Sequence, residues 1–231
     1  MNNNTIVRIK NLKKQFENGS EALVIFENTN LEIKHGEKVA IIGPSGSGKS
    51  TLLSLLAGLD KPSSGEIFVK ELQVDKLSDN ELSNYRNREV SIIFQSFELI
   101  SPFTAIENVS SPLDIRGDQT SSTNTASASA LLEEVGLIKR KNSFPSTLSG
   151  GEKQRVAIAR ALASDTDIIL ADEPTGSLDS KTGEMILDLL LKEVSKRSKT
   201  LIIITHDMRI AEKMDRIIEL KDRNLHEITK S

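Results

Sequence analysis

Gly43-Pro-Ser-Gly-Ser-Gly-Lys-Ser-Thr51 is the stretch that decides the fold. It follows the apolar run Val39–Ile42 and precedes the run Leu52–Leu56, so it reads as the turn from a buried strand into a helix. Gly43, Gly46 and Gly48 let successive backbone N–H groups turn inward with no Cβ in the way, while Pro44, Ser45 and Ser47 complete the loop. A helix beginning near Ser50 and Thr51 brings its positive end to the same point. A loop of this form cradles phosphate oxygens, with Lys49 placed to reach β- and γ-phosphates and Ser50 placed to ligate Mg²⁺.

Such a loop needs a carboxylate for the metal at the end of a neighbouring strand. Ile168-Ile-Leu-Ala-Asp172-Glu173 supplies one: four apolar residues bury the strand and Asp172 emerges at its carboxyl end. Glu173 follows, free to accept a proton from a water attacking the γ-phosphate. The runs Ile168–Ala171 and Leu201–Ile204 are continuous, as expected of parallel strands covered on both faces. Between them, Lys181 to Lys196 spaces Met185, Ile186, Leu189, Leu190 and Val194 as a helix does. Strand, helix, strand in that order predicts a doubly wound α/β layer.

The first seventy residues read as short strands: Ile6–Lys10, Leu23–Lys34, Lys38–Ile42 and Glu66–Lys70. Residues Leu77–Arg88 and Ala126–Val135 read as helices. Gly117 to Ala130 holds seven Ser or Thr in fourteen residues and reads as a flexible loop or frayed helix start.

Composition narrows the function classes. The chain has 231 residues, enough for one large domain or two small ones. No Cys is present, which excludes disulfides, thiolate catalysis and thiolate metal sites. A formal charge of -3 supplies no basic field for nucleic acid. Seven Phe, one Tyr and no Trp leave a core that must be aliphatic. The start, MNNNTIVRIKNLKK, has no apolar stretch of the secretory kind. The longest apolar candidate, Leu52 to Leu59, is interrupted by Ser54 and Gly58, far short of the roughly 20 residues a span needs. The expectation is a cytoplasmic chain that does not itself cross a membrane.

Leu148-Ser-Gly-Gly-Glu-Lys-Gln-Arg155 carries the most information. Locally, Ser149 and Glu152 make a capping box for a helix running through Val156, Ile158, Ala159, Leu162 and Ala163. A cap alone leaves Gly150 and Gly151 unexplained, since glycine weakens a helix; at a helix start it lets an anion approach the backbone. The stretch resembles the signature motif of ATP-binding-cassette (ABC) ATPases, and the family's other motifs occur in its order. Gln95 in IIFQSF resembles the Q-loop glutamine, Pro174 to Asp179 the D-loop, and His206 the switch histidine. Phe16 sits where the family usually has a Tyr stacked on adenine, and Glu152 stands where Gln is commoner.

The resemblance implies an α/β P-loop NTPase core of ABC type, with an N-terminal antiparallel β subdomain and an inserted α-helical subdomain. One domain would span 5–231, with core and β subdomain about 5–94 and 165–231 and the helical part about 95–164. It implies ATP and Mg²⁺ as cofactors and ATP hydrolysis as the activity. Two copies would sandwich each ATP between one phosphate loop and the other copy's Ser149, Gly150, Gly151 and Glu152. Asp179 would communicate across that interface, Gln95 would sense Mg²⁺ and the transport partner, and His206 would hold the γ-phosphate and attacking water. His35 and His226 match no motif and read as surface residues.

The runs FQSFELISPFTAIENVSSPL and ADEPTGSLDSKTGE look like the small ATPases of lipoprotein-release and macrolide-export systems. This implies an integral membrane permease as partner, attachment to the inner face of the membrane, and lipidated or amphiphilic cargo. An ATP-switched regulator of a membrane partner, of the cell-division type, is the other reading. Phe94 is expected in the helical subdomain's core, and Phe97, Leu99 and Phe103 in an exposed groove that receives the permease. A GTPase is disfavoured, because no NKxD element is present.

Overall fold

The computed structural model describes residues 4–18 and 21–228. Residues 1–3, 19–20 and 229–231, which belong to the opening stretch or the single domain read from sequence, lie outside that description. The chain opens with two long strands, β1 (Thr5–Asn18) and β2 (Glu21–Lys34), then β3 (Lys38–Ile42) and α1 (Lys49–Leu56). Next come β4 (Ser64–Val69), β5 (Leu72–Gln73), α2 (Asp79–Arg88) and β6 (Val90–Ile93). Three helices follow without a strand between them: α3 (Ala105–Arg116), α4 (Ser121–Glu134) and α5 (Gly150–Ala163). The chain closes with β7 (Ile168–Asp172), α6 (Ser180–Lys196), β8 (Thr200–Ile204), α7 (Met208–Ala211), β9 (Arg216–Lys221) and β10 (Asn224–Ile228).

Two sheets result. One is antiparallel, ordered β2-β1-β4-β5; the other is six-stranded, ordered β10-β9-β3-β8-β7-β6, and parallel except for β10. Parallel strands are buried on both faces, which explains their continuous apolar runs. Ile168, Leu170, Ile202 and Ile204 point to a core shared with α1 and the antiparallel sheet, where Phe26 and Tyr85 also lie. Ile169, Ala171, Leu201 and Ile203 point the other way, onto Ile158 of α5 and Ile186 and Leu190 of α6. A third cluster, including Val109, Leu132 and Val156, holds the helical layer together. As the scarcity of aromatics implied, these cores are almost wholly aliphatic.

Differences from the sequence reading have local causes. β1 runs on to Asn18 because a bulge at Asn11 (φ 47°) shifts the buried parity from Val7 and Ile9 to Leu12 and Lys14, breaking the period of two. Gly65 is obligatory beneath this bulge, where a Cβ would meet Asn11 O at 2.5 Å. The helix read at Ala126–Val135 starts earlier, so most of the Ser/Thr-rich segment is ordered helix and not a loop or frayed start. Thr120 caps α4, and Asn124, Ala128 and Leu132 form an i, i+4, i+8 buried stripe hidden among hydroxyls. Met185 is exposed on α6, its place in the buried stripe taken by Leu187.

Candidate functional site

The phosphate loop leaves β3 and enters α1 as expected, and its glycines are required by geometry. Gly48 caps α1 at φ 104°, and a Cβ there would lie 2.2 Å from Ile25 Cγ2. Gly43, at φ 153°, would put a Cβ 2.6 Å from Leu220 O. Lys49 is buried and donates from Nζ to the carbonyls of Gly43 and Pro44, at 2.9 Å each, so the ammonium curls back over the loop's own backbone. The loop is thereby preformed around its cation.

A cleft of about 560 Å³ opens over this loop. Ser45, Gly46, Gly48, Lys49, Ser50 and Thr51 line it from the loop, Gln95 from the segment after β6, and Asp172, Glu173 and His206 from the ends of β7 and β8. Its size suits a nucleotide. Burial pushes the Asp172 carboxyl above its usual range; the Ser50 hydroxyl opposes this, Glu173 adds to it, and the Lys49 charge pulls back. A cation beside Asp172 would relieve the same strain. Ser50 and Asp172 are oxygen donors of the kind Mg²⁺ takes. Among the described residues, no group of three His, Cys, Asp or Glu side chains could hold a metal.

Glu173 adopts φ 45°, an uncommon conformation for a non-glycine residue, and its N–H donates to Ile204 O at 3.0 Å. The turn aims its carboxylate at His206, whose Nδ1 lies 2.7 Å from Oε1. The histidine is mostly exposed while the carboxylate is largely covered. These two residues also border a second cleft of about 510 Å³, which reaches Asp179 at the start of α6. Asp179 is spent locally as N-cap, accepting from Thr182 N at 3.0 Å.

The signature stretch forms its capping box: Ser149 N donates to Glu152 Oε2 at 2.8 Å and Glu152 N to Ser149 Oγ at 3.3 Å. The Ser149 backbone bond chiefly holds the Glu152 carboxyl below its usual range, and Arg140 Nε bonds its other oxygen at 3.0 Å. Both glycines here have an internal reason that the sequence did not show. A Cβ on Gly151 would lie 2.7 Å from Thr182 Cγ2, and one on Gly150 would lie 3.1 Å from Leu178 Cδ2. Ser149 to Glu152 do not line the Lys49 cleft.

Phe16 lies on β1, exposed, with Lys14 Nζ 4.6 Å from its ring centre, and it is not among the residues lining the cleft. Phe94 is half-buried outside the three apolar clusters rather than within the helical core, because it lies one residue beyond the end of β6 at Ile93. Leu99 packs against the helical cluster, Phe97 is half-buried beside Gly150, and only Phe103 of that trio is exposed, together with Ile100. His35 and His226 are exposed as expected. Sequence reasoning missed Ile25, a cleft wall set by the register of β2, and Ser177, whose Oγ donates to Gln95 O at 3.0 Å. No local signal marks either one.

Fold and cleft together define a nucleotide-binding protein of the P-loop class. A family model described as ABC transporter matches residues 26–176. The chain is 46% identical over 223 residues to the lipoprotein-releasing system ATP-binding protein LolD of Treponema denticola, covering 96% of this chain and 98% of that protein. It is 45% identical over 217 residues to the macrolide export ATP-binding/permease protein MacB of Vibrio parahaemolyticus, covering 94% of this chain and 33% of that protein. The dimeric structure of the ATP-binding cassette MJ0796, in a post-hydrolysis state bound to ADP and Pi, matches with a TM-score of 0.89 at 44% identity, over 96% of this chain and 98% of that one. The chain belongs to the ABC transporter family of ATP-binding proteins.

Proposed function

We propose that this chain is the ATP-hydrolysing motor subunit of an ABC transporter, which dimerises on ATP and drives a separate membrane permease in export or extraction of lipidated or amphiphilic cargo. The observation that carries the reading is the Glu173–His206 pair, 2.7 Å apart at the mouth of the cleft that holds Lys49, Ser50 and Asp172. Lys49 and the loop N–H groups bind the phosphates of ATP. Ser50, Asp172 and Gln95 would hold Mg²⁺, which would supply positive charge against the phosphates. Glu173 takes a proton from the attacking water, and His206 fixes the carboxylate's aim. Phe16 stacks on adenine once the base reaches β1.

Ser149 to Glu152 lie outside the cleft of their own chain, so they serve the ATP of a second copy, with Asp179 at the joint. Support comes from the relative solved as a dimer with ADP and Pi. We read residues 5–231 as one domain, with about 95–164 as the helical subdomain that meets the permease through Ile100 and Phe103. No helix among the described residues is long and apolar enough to cross a membrane. The likeness to a lipoprotein-releasing system ATP-binding protein supports placing the chain at the cytoplasmic face, held there by the permease. Glu173→Gln should bind ATP, fail to hydrolyse it, and accumulate as a dimer. Light scattering with Mg-ATP that shows only monomer would refute the reading.

A further inference from the structure

Between β6 and α3 the chain makes a turn in which two consecutive residues, Phe97 (φ 65°) and Glu98 (φ 47°), occupy the left-handed region. Neither is glycine, and such conformations persist only where surrounding contacts over-determine them. The turn's own bonds are Phe97 N to Phe94 O at 3.2 Å and Glu98 N to Ser96 O at 2.7 Å. Left-handed residues aim their carbonyls away from the local chain, and here both carbonyls meet one guanidinium. Arg160 of α5 donates from Nη2 to Phe97 O at 3.1 Å and from Nη1 to Glu98 O at 2.5 Å. Burial lowers the pKa of that guanidinium, so placing a charge there costs free energy that a surface arginine does not spend.

The same turn is gripped elsewhere. Phe97 Cζ lies 3.9 Å from the Cβ position of Gly150, at the other end of α5. Gly150 and Arg160 are ten residues apart, about 15 Å along the helix axis, so a tilt or rotation of α5 displaces the turn instead of sliding past it. At the cleft end, Ser177 Oγ holds Gln95 O at 3.0 Å, and Gln95 Nε2 sits 2.9 Å from where a Cβ on Gly176 would be. Gln95 itself lines the phosphate cleft.

We propose that Arg160 is a positioning residue for Gln95: its planar fork latches the 94–98 turn to α5, so that the helical layer and the amide facing the nucleotide move as one body. This rests on the assignment of Gln95 to the Mg²⁺ site given above. A lysine cannot replace the fork, because a single ammonium does not bridge two carbonyls in fixed geometry.

Two measurements on the full chain test it. In nucleotide-free protein, hydrogen exchange at Phe97 and Glu98 should speed up roughly tenfold in Arg160→Gln, the equivalent of one net hydrogen bond. Exchange in the core strand β3 should not change. In protein loaded with a non-hydrolysable ATP analogue, calorimetric titration with Mg²⁺ should show roughly three- to tenfold weaker binding in Arg160→Gln, and no further weakening when Gln95→Ala is already present. A residue that merely supports the fold would add its effect in full to that of Gln95→Ala, and that result overturns the proposal, as does unchanged exchange at Phe97 and Glu98. Should Gln95→Ala alone leave Mg²⁺ binding intact, the metal assignment of Gln95 fails and the latch falls with it. Arg160→Lys keeps the stem and the charge, and carries the same measurements if the glutamine variant does not fold.

Discussion

Gly151→Ala separates two reasons for a glycine in the signature helix. A Cβ at this position would sit 2.7 Å from Thr182 Cγ2, against the roughly 3.5–4.0 Å of an ordinary carbon contact. Overlap of about 1 Å in a packed site costs about 1–3 kcal/mol. Gly151 lies inside α5 with no positive φ, so alanine also gains up to about 1 kcal/mol of helix propensity. The net expectation is a loss of about 1 kcal/mol, or about 2–4 °C in Tm for a chain of this length. Thr182→Ser removes the offending methyl and leaves the backbone N–H that Asp179 caps. In that background the sign should reverse, and Gly151→Ala should stabilise by a fraction of about 1 kcal/mol. Guanidinium unfolding followed by circular dichroism measures both, since the chain has no Trp to report by fluorescence. An equal cost in the two backgrounds would refute the packing argument. Light scattering of the double variant with Mg-ATP then shows whether the Cβ also obstructs a phosphate from a second copy.

Lys49→Ala should keep the fold but weaken ATP binding at least about a hundredfold, because the loop's buried cation is its main charge-assisted donor; calorimetry with affinity within tenfold of the parent would contradict this. Phe103→Asp should leave basal ATPase unchanged and weaken association with the permease by about tenfold, as expected for one lost apolar anchor. Co-purification at parental yield argues against that surface. Glu81, Glu107 and Glu152 cap three helices with carboxyls held below their usual range: Glu81 and Glu107 mainly by the Ser78 and Thr104 side chains, Glu152 mainly by the Ser149 backbone. A depressed pKa contributes stability above the unfolded value of 4.5 that is lost as pH falls through the folded one. Glu107→Gln keeps a capping side chain that does not titrate, so its unfolding free energy should fall less steeply below pH 4.5; parallel curves would reject this.

The nucleotide cleft was legible because its chemistry is written in contiguous runs, each anchored to a strand end. The loop at Gly43 to Thr51 and the carboxylates after Ala171 announce themselves within nine and six residues. What could not be read depends on register and on distant neighbours. Ile25 becomes a cleft wall only through the bulged pairing of β1 with β2. Thr182 explains Gly151 from thirty-one positions away, and Ser177 and Arg160 act on a turn about eighty and sixty residues upstream. Only the first part of α4, residues 121–125, was hidden, because hydroxyl-rich composition suggests a loop, while Thr120 as cap and Asn124 in the buried stripe extend the helix back to Ser121. Phe16 shows the converse: a position picked out by a motif carries a ring that is not among the residues lining the cleft.

The central strand of the parallel sheet has a consequence for how the chain is made. β3 is complete by residue 42, yet both its neighbours, β8 and β9, lie beyond residue 199. On a ribosome the phosphate-loop strand therefore emerges early and waits, two apolar edges unpaired, until almost the whole polypeptide has followed. The helical layer draws its cluster from residues 99 to 189, all of them synthesised before β8, and can consolidate while that strand is still waiting. Synthesis thus produces the surface assigned to the permease before the machinery assigned to ATP. A pause or truncation short of β8 leaves a nascent chain with a finished docking layer, an exposed strand, and a need for chaperone cover.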